Sequence, residues 1–134
     1  MSRVLLANEY ISVDCDAEAR VVTLTRTAAD LPRESADIRQ VYREVVDALE
    51  GIERKHYAII ADGRAATGRN DAAFESVHEE FLGQIFGGFR HVATVVGTMA
   101  GRLQVGRYNA DPRDKRISLF ATPEEARAYL AELP

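Results

Sequence analysis

The chain has little of what marks most secreted, membrane-bound or metal-dependent proteins. A single cysteine, Cys15, among 134 residues excludes an internal disulfide and fits a reducing compartment. No apolar run approaches the roughly 20 residues that a membrane helix requires. The apolar patch Val4-Leu5-Leu6-Ala7 is also too short for the core of a signal peptide. Together these absences lead to the expectation of a cytoplasmic location and no membrane span. Neither a phosphate-binding loop nor a Gly-x-Ser-x-Gly elbow occurs, and His56 and His91 lie far from any CxxC or HxxxH spacing. The formal charge of −4 argues against general nucleic-acid binding, which needs a basic surface to neutralise phosphates. No cofactor is expected. Arg102, Arg107, Arg113, Lys115 and Arg116 do gather late in the chain, and a solvated face is the preferred reading of that cluster.

What is present reads as one domain spanning residues 1–134, large enough to bury a core without staples. Tyr10 to Cys15 alternates as a half-buried strand, Asp16 to Ala19 turns, and Arg20 to Arg26 is a second strand rich in β-branched residues. A long helix follows on the stripe Ile38, Val41, Tyr42, Val45, Leu49 and Ile52, with Pro32 near its start and Gly51 near its end. The apolar run His56 to Ala61 predicts a buried strand ending at Asp62. A loop then leads to a second helix that starts near Asn70-Asp71, carries Phe74, Val77, Phe81, Ile85 and Phe86, and stops at Gly87-Gly88. His91 to Val96 predicts another buried strand. A third helix over 98–109 is weakened by Gly101 and Gly106, each costing about 1 kcal/mol relative to alanine. A turn at Asp111 to Asp114 precedes a strand at Arg116 to Phe120. The final helix is marked by Thr122 as N-cap, Pro123 at the first helical position and Glu125 completing a capping box. The alternation makes the chain α/β, with a mixed sheet of about five strands and about four helices. The sheet opens with an antiparallel hairpin and continues with parallel strands.

Strand ends and helix starts are where such folds collect their functional groups, so the loop after Asp62 is the candidate site. Asp62, Arg64, Arg69, Asn70 and Asp71 form its polar set, which could receive an anionic group or a partner protein. Arg102 and Arg107 could join the set from the loop after the next strand. The plainer reading, and the preferred one, pairs Arg69 with Asp71 or neighbours and leaves Asn70 to cap the helix. His78 with Glu75 and Glu79 shares a helix face as a metal half-site would, but no second motif completes it, so an ordinary helix face is preferred. Cys15 in its strand reads as a small apolar residue. Nothing in the chain motivates a nucleophile.

Three features carry a resemblance: the opening hairpin with its long helix and a strand ending in Asp62; the run Asp62-Gly63-Arg64 with Gly68-Arg69-Asn70-Asp71-Ala72-Ala73-Phe74-Glu75; and the terminal strand feeding Phe120-Ala121-Thr122-Pro123-Glu124-Glu125-Ala126. From about residue 10 onward the chain resembles the SpoIIAA-like family, small bacterial domains related to STAS domains and more distantly to the lipid-binding SEC14 group. The resemblance implies a regulatory or protein-interaction module. In the STAS relatives a serine at the start of the helix after this strand is phosphorylated. The matching position here is near Asp71 or Ala72, neither a phosphoacceptor, and the nearest hydroxyls, Thr67 and Ser76, do not match. Asp71 then reads either as a standing charge or, preferably, as a helix cap. The SEC14 relation implies an alternative, a carrier of a small apolar or amphipathic ligand beneath the second helix, lined by Phe74, Phe81, Leu82, Ile85, Phe86 and Phe89. The same aromatic residues could form a homodimer interface. Packing in the core is the preferred reading of them.

Overall fold

Six strands form a single mixed sheet in the computed structural model, which describes residues 2–66, 68–97 and 117–133. Strands β1 (Ser2–Ala7), β2 (Ile11–Asp16) and β3 (Val21–Arg26) are antiparallel neighbours. Strands β4 (Ala58–Asp62), β5 (His91–Val95) and β6 (Ile117–Phe120) continue parallel to β3. Helix α1 (Ser35–Ala48) lies between β3 and β4, α2 (Ala72–Phe86) lies between β4 and β5, and α3 (Pro123–Glu132) follows β6. The α/β class, the antiparallel opening and the later parallel strands agree with the sequence reading.

The strand count does not: there are six strands where the pattern suggested five. The missed strand is β1. It is an edge strand with Val4 63% exposed, and a bulge between Val4 and Leu6 breaks the alternation that would announce it. The irregular register leaves consecutive Leu5 and Leu6 both packed against the core. Its turn into β2 is fixed by Asn8, whose Oδ1 accepts from the backbone N–H groups of Tyr10 and Ile11 at 2.8 and 2.9 Å. Three helices occur among the described residues; the helix expected at 98–109 and the turn at 111–114 lie outside them. Pro32 precedes α1 rather than opening it, since the helix begins at Ser35 behind Glu34.

Side-chain alternation divides the sheet into two faces. Ile11, Val13 and Cys15 of β2, Val22 and Leu24 of β3, Ile59 of β4 and Val92 of β5 pack against Ile38, Val41, Tyr42 and Val45 of α1 and Phe74, Val77, Phe81 and Ile85 of α2. Val21, Ala58, Ile60, Ala93 and Val95 turn the other way and meet Ala126 and Leu130 of α3. Two successive crossovers that advance in the same direction with the same hand put α1 and α2 on one face. The helix ends follow the sequence. Thr122 Oγ1 accepts from the Glu125 N–H at 3.2 Å with Pro123 at the start of α3, Gly51 has φ +88° after α1, and Gly88 has φ +85° after α2. At the far end of α2, Arg54 donates to the carbonyls of Ile85 and Gly87 at 3.1 and 2.8 Å.

Candidate functional site

The carboxyl ends of β3, β4 and β5 carry the loop that the sequence singles out, and strand parity decides where each of its side chains goes. Asp62 follows Ala58 and Ile60, so its carboxylate turns to the α3 face, where it is 6% exposed. A buried carboxylate needs donors. Arg64, two residues on, supplies all those found among the described residues. Its Nε donates to Oδ1 at 3.0 Å, its Nη2 to Oδ2 at 3.0 Å and its backbone N–H to Oδ1 at 3.1 Å. This two-pronged clamp, with Glu124 of α3 within electrostatic reach, raises the Arg64 pKa above its ordinary value, the hydrogen bond to Asp62 being the largest cause. Gly63 ties the loop to β5 by donating its N–H to the Val95 carbonyl at 3.0 Å.

The second half of the loop goes to the other face. Arg69 clamps Asp71, with Nε donating to Oδ1 at 2.7 Å and Nη2 to Oδ2 at 2.8 Å. Its remaining arm, Nη1, donates to the carbonyls of Leu31 and Pro32 at 3.0 and 2.8 Å. The guanidinium also covers the Phe74 ring at 5.7 Å. One arginine thus joins the start of α2 to the segment that enters α1. Asp71 is the N-cap of α2, accepting from the Phe74 N–H at 3.2 Å. The Arg69 hydrogen bonds and that N–H hold its pKa down to about 2.

The expected polar set is therefore two clamps rather than one surface, Asp62 with Arg64 toward α3 and Arg69 with Asp71 toward α1. The residues are close in sequence, but parity sends them to opposite sides of one sheet edge. Asp71, not Asn70, caps the helix. Asn70 is exposed, and Arg102 and Arg107 lie outside the described residues. The strand order advances from β3 to β6 without reversal, so the crevice that opens at a switch in order does not arise among these strands.

A third group was missed. Arg26, the last residue of β3, continues the inward parity of Val22 and Leu24 and pairs in register with Ile11. Close to it, buried Tyr42 of α1 hydrogen-bonds His78 of α2, with Oη 2.9 Å from Nδ1. His78 stacks on Phe74 with centroids 5.1 Å apart, and Tyr42 meets Phe81 edge-on at 5.8 Å. Burial, then the charge of Arg26, lowers the His78 pKa to about 4, so the ring is neutral at physiological pH. Burial likewise lowers that of Arg26, with Arg69 adding to the effect and Tyr42 and Asp30 opposing it. The signal was readable: a charge on the inward register of a strand, and a tyrosine hydroxyl on an apolar stripe. Along the chain His78 groups with Glu75 and Glu79, and that spacing points away from Tyr42. No group of three His, Cys, Asp or Glu side chains that could hold a metal occurs among the described residues.

The phenylalanines of α2 and of the turn after it fill the interior. Phe74, Phe81 and Phe89 are at most 7% exposed within the core, and Phe86 packs partly against it. A cleft of about 410 Å³ lies at the opposite, amino-terminal edge of the parallel strands, lined by Arg3, Cys15, Ala17, Gly51, Ile52, Glu53 and Tyr57. No helix among the described residues is long and apolar enough to cross a membrane. Comparison of the chain with protein-family models, with curated proteins and with solved structures finds no match.

Proposed function

We propose that this chain is a non-catalytic protein-interaction module of the SpoIIAA-like type, docking a partner protein on the corner formed by residues 63–66 and 68–72. One observation carries the reading. The corner's two carboxylates, Asp62 and Asp71, are both clamped by arginines of the same loop, which holds its two ends while leaving Arg64, Ala65, Gly68, Asn70, Asp71 and Ala72 exposed. A braced, polar, exposed loop offers a partner a ready shape at small ordering cost. Its acids are engaged in ion pairs, so neither is set up as a general base. With Asp71 held as a cap at the start of α2, docking does not wait on phosphorylation there.

The test is cross-linking in the source cells followed by identification of the captured protein. Ala65→Glu together with Asn70→Arg changes the charge and enlarges the side chains of the exposed corner without touching either clamp. Loss of the captured protein by this variant, with retention by Glu53→Lys at the opposite edge, supports the assignment. Equal capture by both variants refutes it.

A further inference from the structure

We propose that the cleft at the amino-terminal edge of the parallel strands binds a free α-amino acid with an apolar side chain. This goes beyond the docking reading and does not rest on it, since the corner at residues 63–66 and 68–72 lies at the other end of the strands. The cleft, about 410 Å³, falls within the range of small-molecule sites, roughly 300–1,000 Å³. Strands β1 and β2 make one wall. Arg3 stands opposite Cys15 in their register, so both side chains take the α1 face of the sheet. Cys15 is buried in the core there, whereas Arg3, on the outer strand, is exposed. The chain leaving α1 makes the other wall, turning at Gly51 with φ +88° and continuing through Ile52 and Glu53. Ile52 and Tyr57 pack partly against the core that includes Cys15, which gives the cleft an apolar floor.

The two walls carry opposite charges that do not meet. No hydrogen bond or ion pair of Arg3 occurs among the described residues. The Glu53 carboxylate has one charged contact among them, His56 at 3.9 Å, and its side chain is 76% exposed. Helix α1 has no basic residue in its last turn to meet the negative end of its dipole, which lies on the Glu53 side. A zwitterion answers both walls at once. Its carboxylate matches the planar fork of the Arg3 guanidinium, and its ammonium takes Glu53 and the carboxyl end of α1. An anion without an amine would be repelled on the Glu53 side, and an amine without an acid would leave Arg3 unmatched. The floor formed by Cys15, Ile52 and Tyr57 then receives an apolar side chain, which removes apolar surface from water on both partners.

The experiment is an amide NMR titration of the intact chain with L-leucine and with L-phenylalanine at fixed ionic strength. The N-acetyl derivative of each, which lacks the ammonium, and the amide derivative, which lacks the carboxylate, are the parallel arms. The proposal expects saturable shifts at Arg3, Cys15, Ile52 and Tyr57 with at least one of the two amino acids. Its derivatives should each bind about fivefold more weakly, the loss of one exposed ion pair. Arg3→Gln should weaken the amino acid by a similar factor and leave its amide derivative unaffected, because that derivative has no carboxylate to lose. Glu53→Gln should do the same to the amino acid and spare the N-acetyl derivative. Both residues are exposed, so neither variant puts the fold at stake. Absence of saturable shifts with both amino acids, or shifts centred away from the cleft, would overturn the site. So would derivatives that bind as tightly as their parent, or undiminished binding by Arg3→Gln.

Discussion

Lowering the pH through the range in which free histidine titrates should weaken this fold, and His78 should be the main cause. The His78 pKa stands at about 4 in the folded chain against 6.5 for an unperturbed histidine, burial being the larger cause and the Arg26 charge the second. The unfolded chain therefore binds a proton that the folded chain refuses. The stabilisation is fully present above 6.5, is lost progressively as pH falls toward 4, and is constant below that. At 1.36 kcal/mol per unit, the whole window is worth about 3 kcal/mol, of which about 2 kcal/mol falls between roughly pH 7 and pH 5. That is a large share of the stability of a small domain. Asp71 acts in the same direction, but its window lies lower, between 3.8 and about 2, so it does not contaminate the measurement. Urea unfolding at the two pH values, in buffer free of phosphate, gives the loss directly. His78→Gln keeps a polar partner for Tyr42 and removes the titration. The difference between wild type and variant should therefore carry most of the pH dependence. If both lose the same stability between pH 7 and pH 5, the burial of a neutral His78 against Arg26 is refuted.

Other perturbations have equally definite outcomes. Phe81 is 0% exposed at the centre of the α1–α2 face, so Phe81→Ala should cost about 3–5 kcal/mol in urea unfolding, and a cost under 1 kcal/mol would mean that the core is not packed around it. Thr122→Ala removes the acceptor for the Glu125 N–H and should cost about 1 kcal/mol, with the loss visible as faster amide exchange in the first turn of α3; unchanged exchange there would dismiss the cap.

Much of this architecture is legible in the chain because local rules and global fold agree. The stripe Ile38, Val41, Tyr42, Val45 is the buried side of α1, Phe74, Val77, Phe81, Ile85 is that of α2, and the Thr122–Pro123–Glu125 start of α3 is read from three letters. The edge strand β1 escapes because its bulge destroys the period of two on which strand reading depends. The candidate loop is legible as a place but not as an arrangement. Arg64 and Arg69 look like one cluster along the chain. Only the pairing of β4 with β3 and β5 shows that Asp62 faces α3 while Asp71 opens α2 on the other side. The Arg26–Tyr42–His78 group escapes for a related reason. Its members come from β3, α1 and α2, and no spacing in sequence announces a meeting made by packing. The inward parity of Arg26 and the hydroxyl of Tyr42 on an apolar stripe are its local traces.

The docking assignment is tested most directly by hydrogen-exchange mapping of the chain alone and with the partner recovered by cross-linking. The account predicts slowed exchange at residues 63–66 and 68–72, with β1 and the Gly51–Tyr57 edge unchanged. Protection confined to β1 or to that opposite edge, with the corner exchanging as it does in the free chain, would contradict it.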